Sequence, residues 1–427
     1  MVIAIEYYDN FRWMPMGTWT PNEDEKRRGF SGGGVWRYDM DFAVEHLHTL
    51  GPSVPLALPV MLDSIPLSHW PAFLLDLLPG GPARKEWLDL LQIPNGPAAD
   101  LPLLQHAGRA PVGCLRVQHS TRIGISKGFV RQDVLDRHQR FLAYMRDTLV
   151  GQMGLPEDTP YSAIDSQGAA PKYLLTEDRQ GLWWAEGTLE DTQCARFWLV
   201  KYPRGTQTAD RLVLKAEAAY AKVAKACGVY VAKLPLWEND ILFVPRFDRS
   251  LDGNHRVMRY GLETLCSAMG VSEFGHAFQQ EEICACIARY ASDAPSDLLE
   301  YLRRDILNVA LANTDNHARN TSFIKDGRHI RLSPLYDFAP MELDPEGISR
   351  QVRWQGERLH CLPWKHIVTV LNAWVSEDRL VGVLSQMANH LEAMPQLVRE
   401  ANVPQKVVSH CKDRWSPLAK SLREYLS

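Results

Sequence analysis

Three polar side chains in the second half of the chain have the types and spacing that phosphoryl transfer uses. Asp315 is followed five residues later by Asn320, and a second carboxylate, Asp337, lies within Leu-Tyr-Asp-Phe-Ala at 335–339. In such a set, one carboxylate orients the attacking hydroxyl and accepts its proton, while an amide oxygen and the other carboxylate hold magnesium. These residues predict an ATP-dependent kinase.

The residues around this set favour the same interpretation. The polar loop 313–320 precedes Thr-Ser-Phe-Ile at 321–324, which predicts a strand, so a simple helix-capping loop is the less attractive alternative. Magnesium prefers oxygen ligands, so His317 is predicted to have a structural role and not to bind the metal. Asp337 stands between two aromatic residues, where an unpaired buried carboxylate would be costly and a bound metal would remove that cost.

Four features upstream predict a nucleotide site. The loop Asp165–Lys172 has small residues that let backbone N–H groups approach phosphate oxygens, but it lacks the Walker spacing, and a plain turn is the alternative. Lys201 ends an apolar stretch and is either an exposed edge lysine or the strand lysine that pairs ATP phosphates. Glu217, on a helix predicted over 209–227, is either the partner of that lysine or a solvated charge. Val244–Arg249 follows a predicted strand, where a kinase hinge would bind adenine through backbone groups.

Composition excludes several classes of protein. A length of 427 residues predicts two or three subdomains, and the hydrophobic (45%) and charged (23%) fractions are ordinary for a globular chain. A net charge of −4 disfavours direct DNA binding. The scattered cysteines predict free thiols in a reducing compartment. The chain has no signal-peptide layout and no long apolar run, so we expect a cytoplasmic protein without a membrane partner.

Hydrophobic patterning predicts an α+β fold that is bilobal and protein-kinase-like. Its parts are an extra N-terminal subdomain at 1–125, a strand-rich N-lobe at 126–249 and a helical C-lobe at 250–427. Helices are predicted at about 70–78, 83–91, 130–150, 209–227, 261–270, 276–291, 296–313, 364–373, 377–393 and 411–425. Strands are predicted at 112–117, 173–175, 181–186, 197–201, 241–244 and 321–324.

Four blocks, in this order, resemble the HipA-type serine/threonine kinases of bacterial toxin–antitoxin modules. They are Gly168–Lys172, Phe197–Lys201, Val244–Arg249, and Asn313–Asn320 together with Leu335–Ala339. Weaker likeness extends through Phe73–Gly81 and Gly108–Val117. Together the blocks span most of the chain, and the joint occurrence of Arg-Phe-Asp-Arg and Asn-Thr-Asp-x-His-x-x-Asn is specific.

The resemblance implies a role for each block. Asp315 would be the catalytic base, and Asn320 and Asp337 would be the magnesium ligands. ATP would be contacted by Gly168, Ala169, Ala170 and Lys172 of the phosphate loop, by the strand lysine Lys201 with Glu217, and by Pro245 and Phe247 of the hinge. His317 would be a further contact. Family members phosphorylate a serine or threonine of a protein, typically an aminoacyl-tRNA synthetase, and so halt translation. A small helix-turn-helix antitoxin of the HipB type usually neutralises them and supplies the DNA contact.

Two other functions are compatible with parts of the pattern. One is a catalytically quiet HipA-like binding or antitoxin subunit, in which Asp165 mimics a phosphorylated loop; the intact Lys201, Asp315, Asn320 and Asp337 argue against it. The other is a small-molecule kinase of the aminoglycoside-phosphotransferase type, which shares the Asp-x-x-x-x-Asn arrangement. The Arg-Phe-Asp-Arg block and the N-terminal subdomain argue against that class.

The phosphate loop departs from the family pattern. Relatives commonly carry a serine three residues before the glycine, and its autophosphorylation ejects the loop; here that position is Asp165, and the neighbouring hydroxyl is Ser166. Asp carries a permanent negative charge that is smaller than that of a phosphate, so we expect an altered switch. Either Ser166 takes over this role, or the loop is fixed in one state. Mass spectrometry after incubation with ATP separates the two, since phosphate on Ser166 contradicts the fixed loop.

Overall fold

The computed structural model describes residues 2–108, 112–118, 128–136, 171–204, 207–327, 329–344 and 347–427. These residues belong to two compact units. The first unit takes its residues from 1–204, 243–274 and 325–328, and the second from 205–242, 275–324 and 329–427. The three-part division expected from the sequence stays a prediction.

An antiparallel sheet organises the N-terminal part of the first unit. Its described strands are β1 (Ile3–Asp9), β2 (Arg12–Pro21), β3 (Gly34–Tyr38), β4 (Ile65–Leu67) and β5 (Leu115–Val117). They are ordered β4-β3-β2-β1-β5, and each neighbouring pair runs antiparallel. Strand β1 buries Ile3, Ile5 and Tyr7, the period of two that a half-buried strand needs.

The first unit also contains short helices. They are α1 (Met40–His46), α2 (Gly81–Leu91), α3 (Asp100–Ala107) and α4 (Arg131–Leu135). The helix predicted at 83–91 is confirmed as α2, while the one predicted at 70–78 is a 3-10 helix over Ala72–Leu77. Helices α1 and α3 were not predicted, because each has only two turns and α3 carries an internal proline. Of the helix predicted at 130–150, residues 137–150 lie outside the described residues.

A second sheet in the first unit carries the predicted nucleotide lysine. Its strands are β6 (Lys172–Asp178), β7 (Trp183–Ala185), β8 (Cys194–Lys201) and β10 (Ile241–Pro245). The short strand β9 (Leu236–Glu238) precedes β10 in the chain and lies within the residues of the second unit. Strands β7, β6, β8 and β10 are neighbours in that order. All seven residues of β6 are buried, so both faces of this strand are covered. The four strands predicted between 173 and 244 are confirmed.

Helix α5 (Thr208–Ala226) confirms the helix predicted at 209–227. It ends because Gly228 adopts φ 79°, a left-handed conformation that a glycine reaches without a side-chain clash. The N–H group of Val229 then donates to the carbonyl of Ala224 at 3.0 Å, which closes the final turn. The turn that ends α5 therefore depends on one glycine.

The helix predicted over 261–270 is wrong in its first half. Residues 261–264 form strand β13 (Gly261–Thr264), and only Leu265–Ala268, here α6, is helical. The Thr264 side chain accepts a hydrogen bond from the N–H of Ser267, so it caps the helix and sets its start. The hairpin of β11 (Arg249–Leu251) and β12 (Val257–Arg259) precedes this strand.

The second unit is mainly helical. Besides α5, its described helices are α7 (Gln280–Tyr290), α8 (Ala294–Ala310), α9 (Trp364–Leu371), α10 (Glu377–Glu392), α11 (Met394–Glu400), α12 (Gln405–Cys411) and α13 (Trp415–Leu426). Strands β14 (Ser322–Asp326) and β15 (His329–Leu332) are neighbours in a sheet. The helices predicted between 276 and 425 and the strand at 321–324 are confirmed; α11 and α12 were not predicted. Within the described ranges, no helix has the length and apolar character needed to cross a membrane.

Replacing Gly228 by alanine should lower the free energy of unfolding by about 1–2 kcal/mol, the cost of a left-handed residue with a side chain. A Cβ atom there would meet only Arg303 Nε, at 3.9 Å, so steric clash adds nothing. The matched control is Gly382→Ala inside α10, where a Cβ meets nothing within 4 Å and alanine should stabilise by roughly 0.5–1 kcal/mol. Urea unfolding measures both; a shift of the same sign in the two variants would contradict the explanation.

Candidate active site

The loop 313–320 follows the end of α8 and is tied to it by hydrogen bonds. Ala312 has φ 58°, and Asn313 then donates its N–H to the carbonyl of Asn308 at 3.0 Å. The buried Asn313 amide also donates Nδ2 to Asn308 Oδ1 at 2.8 Å. Its Oδ1 accepts the N–H of Asp315 at 3.3 Å. One side chain therefore fixes the start of the loop to the end of the helix.

His317 holds the predicted base. Its Nε2 lies 3.3 Å from Asp315 Oδ1, and its Nδ1 accepts the backbone N–H of Arg319 at 3.2 Å. Because Nδ1 accepts, Nε2 carries the proton and points to Asp315. Burial lowers the pKa of His317 below its ordinary value and nearby Arg319 lowers it further, while the carboxylates of Asp315 and Asp337 partly oppose these effects. A neutral imidazole therefore orients the carboxylate.

Asn320 is held so that its amide oxygen can face a cation. Its Nδ2 donates to the backbone carbonyl of Asp315 at 2.9 Å, and its own N–H donates to the carbonyl of His317 at 2.9 Å. The donating end of the amide is thus used by the loop itself. The oxygen is the end that suits magnesium.

Asp337 is positioned through the aromatic residues on either side of it. The hydroxyl of Tyr336 donates to the carbonyl of Arg319 at 2.9 Å, and the buried ring of Phe338 lies 5.6 Å from that of Tyr220 on α5. Between these contacts Asp337 has φ 49°, a left-handed conformation that costs on the order of 1–3 kcal/mol outside glycine. Such strain is concentrated at functional positions.

The loop and the Asp337 segment thus bring together the set predicted from the sequence. Both carboxylates act electrostatically on the His317 imidazole, so each of them lies in the neighbourhood of that ring. Among the described residues, no three His, Cys, Asp or Glu side chains form a ready metal cluster. One amide oxygen and one carboxylate are a sparse set, which suits magnesium held jointly with water and phosphate oxygens.

In the first unit, the structure pairs two predicted phosphate-contacting lysines. Lys172 opens β6 and Lys201 ends β8, and the two are direct partners in the antiparallel register. Opposed residues point to the same face of a sheet, so both side chains share one face. Lys201 is 3% exposed on a strand with neighbours on both sides, which rules out an exposed edge lysine.

Two further predicted features have different outcomes. Glu217 is buried on α5, so it is not a solvated helix charge; its pairing with Lys201 stays a prediction. Of the predicted phosphate loop, Asp165, Ser166, Gly168, Ala169 and Ala170 lie outside the described residues.

The Arg-Phe-Asp-Arg block forms a buried ionic network that the sequence did not predict. Arg246 donates Nη2 to Asp248 Oδ2 at 2.6 Å, and Arg249 contacts the same oxygen at 3.1 Å and also contacts Glu186. Burial raises the pKa of Glu186, but the guanidinium groups outweigh it and lower the pKa to about 2. The N–H of Gly113 donates to Asp248 Oδ2 at 2.7 Å. The arginine side chains of this block therefore form ion pairs inside the first unit. Adenine contacts by Pro245 and Phe247 stay a prediction.

A second set missed by the sequence lies beside the base. Asn316 donates Nδ2 to the carbonyl of Val352 at 2.7 Å, and its Oδ1 accepts the N–H groups of Gln351 and Val352 at 3.2 and 3.3 Å. The position of Asn316 between Asp315 and His317 indicates from the sequence that its side chain has a role near the base. Its partners are backbone groups far along the chain, and no motif marks them.

Comparison with known proteins now decides the family. The family model described as HipA-like C-terminal domain matches residues 164–397, more than half of the chain. The chain belongs to this family. The resemblance to HipA-type proteins is thus confirmed.

Individual relatives are more distant. The HipA-like chain is 31% identical to "Putative kinase Y4mE" of Sinorhizobium fredii (strain NBRC 101917 / NGR234) over 154 residues, which are 34% of this chain and 36% of that protein. It thus spans about a third of the length of that curated relative.

Among solved structures, "Shewanella oneidensis MR-1 Toxin Antitoxin System HipA, HipB and its operator DNA complex" matches with TM-score 0.66 and 17% identity, over 98% of this chain and 97% of that one. This likeness establishes the fold and confirms the predicted α+β class. A Helicobacter pylori proinflammatory kinase, CtkA, covers 53% of this chain and 92% of its own at 12% identity and TM-score 0.33, a likeness too weak to support an argument.

Without added magnesium, His317 should titrate below its ordinary pKa, because burial disfavours the charged imidazole. Asp315→Asn removes a carboxylate that raises this pKa, so the pKa should fall further. NMR titration of the imidazole resonance, assigned by its loss in His317→Gln, measures the change. Glu400→Gln, at an exposed position of α11, is the control and should leave the titration unchanged. A rise in Asp315→Asn would contradict the assignment.

Proposed function

We propose that this HipA-like chain is an ATP- and magnesium-dependent protein serine/threonine kinase. The observation that carries the proposal is the loop 313–320, in which the chain's own hydrogen bonds orient a carboxylate and an amide oxygen. Asp337, near enough to act on the same imidazole, supplies the second carboxylate. A binding module would gain nothing from a base oriented by a neutral histidine, which argues against the catalytically quiet alternative.

In the proposed reaction, the hydroxyl oxygen of a serine or threonine attacks the γ-phosphorus of ATP, and the Asp315 carboxylate accepts the hydroxyl proton. A new P–O bond forms at the acceptor, the bond to the β-phosphate oxygen breaks, and ADP leaves with that electron pair. His317 keeps the base in position. Asn320 and Asp337 would hold magnesium, which neutralises phosphate charge when bound.

The first unit would supply the nucleotide contacts. Lys172 and Lys201, opposed across β6 and β8 on one face, would both contact phosphate oxygens. Two buried lysines on one face of the sheet concentrate positive charge there, which suits a polyanion such as a nucleoside triphosphate. Gly168, Ala169 and Ala170 would complete the phosphate loop, and Pro245 and Phe247 would contact adenine.

The proposed partners follow from the family and from net charge. The solved structure that covers nearly the whole chain contains HipA, HipB and operator DNA, so a small helix-turn-helix antitoxin of the HipB type is the proposed partner. The net charge of −4 suits a chain whose DNA contact comes through such a partner. The proposed substrate is a translation protein such as an aminoacyl-tRNA synthetase, whose phosphorylation would arrest growth.

Incubation of the purified protein with γ-labelled ATP, magnesium and a bacterial lysate should label one principal protein on serine or threonine. Asp315→Ala should reduce the labelling rate by roughly 10²–10⁴-fold, the usual contribution of a positioned base. Asp413→Ala, an exposed carboxylate between α12 and α13, is the matched control and should label normally. Undiminished labelling by Asp315→Ala would refute the base assignment.

A further inference from the structure

The segment 350–354 belongs to no helix or strand, yet buried groups hold both of its ends. Arg350 donates Nη2 to Asp305 Oδ1 at 2.7 Å and Nε to Glu357 Oε1 at 2.7 Å. Trp354 donates Nε1 to Asp305 Oδ2 at 2.9 Å. Asp305 is 2% exposed on α8, so its charge depends on these donors.

A fourth side chain completes this cluster, which we call the Asp305 hub: Gln280, Asp305, Arg350 and Trp354. Gln280 is fully buried; its Nε2 donates to Asp305 Oδ1 at 2.7 Å and contacts the carbonyl of Val352 at 3.4 Å. The hydroxyl of Tyr301 donates to Gln280 Oε1 at 2.6 Å and so fixes the amide orientation. The hydrogen bonds among these side chains hold the backbone at Val352, although Arg350 Nη1 has no partner among the described residues.

Asn316 connects this rigid segment to the loop of the proposed base. Its amide makes three hydrogen bonds, one to the carbonyl of Val352 and two from the N–H groups of Gln351 and Val352. Asp315 therefore lies between two anchors. Asn313 ties the loop to α8 on one side, and Asn316 ties it to the hub on the other.

We infer that Asn316 is a positioning residue for phosphoryl transfer, and that it transmits the fixed location of the Asp305 hub to the backbone of Asp315. This inference rests on the proposed kinase function. Proton acceptance needs the carboxylate within about half an ångström of its productive place. Loss of an anchor at the adjacent residue removes that constraint without touching a nucleotide-contacting group.

The test compares wild-type protein with Asn316→Ala, Asn316→Gln and the control Asn372→Ala, an exposed amide that follows α9. With the labelled lysate substrate, Asn316→Ala should lower kcat by about 10- to 100-fold, the cost of a misplaced reacting group. The KM for ATP should stay within about threefold, since transition-state positioning and ground-state binding are separable. Asn316→Gln keeps an amide and should recover part of the rate, and Asn372→Ala should match wild type.

Amide hydrogen exchange gives a second measurement that does not depend on activity. In Asn316→Ala the N–H groups of Gln351 and Val352 lose their acceptor and should exchange faster, and that of Asp315 should follow. Unchanged exchange at these three amides, or an unchanged kcat, would overturn the inference. A raised KM for ATP without rescue by glutamine would also overturn it, because it would indicate a merely structural role. If wild-type protein labels no substrate, the proposed function fails, and exchange at Asp315 still decides whether Asn316 holds the loop.

Discussion

The contact between the Arg249 guanidinium and Glu186, together with the Asp248 carboxylate that Arg246 and Arg249 share, is the interaction on which the first unit depends. Removing one partner from such a buried set would leave an uncompensated charge, at a cost of about 3–5 kcal/mol. Asp248 also accepts a hydrogen bond from the Gly113 N–H. This contact ties the segment before β5 to the segment after β10. The charged side chains of the block predicted to contact adenine are thereby engaged inside the first unit.

In the second unit, a different set of buried charged residues holds an irregular segment in place. Arg350 donates to both Asp305 and Glu357 inside it, and these contacts fix a segment without regular structure, as the arginine network does in the first unit. Backbone outside helices and strands has few internal hydrogen bonds, so it needs side chains to hold it. In both units, buried charge therefore fixes the irregular segments beside the proposed chemistry.

The sequence predicts local features of this protein well and distant ones poorly. Asp315, His317 and Asn320 sit within a few residues of one another, so spacing alone indicates that they meet. Helix α5 could be predicted because its apolar stripe and terminal Gly228 are both local signals. Glu186, in contrast, is 63 residues from Arg249, and Val352 is 36 from Asn316, and no periodicity connects such pairs. Thr264 shows a third case, in which a helix cap overrides an apolar pattern that reads as helical.

The anchors of the loop 313–320 have one property in common that bears on its electrostatics. Asn313, Asn316 and Asn320 are neutral amides that fix position while adding no formal charge. Had lysine or arginine done this work, their charge would cancel part of the negative field of Asp315 and Asp337 at short range. Amide anchors separate geometry from charge, so these three side chains hold the loop without reducing the attraction of the two carboxylates for a cation.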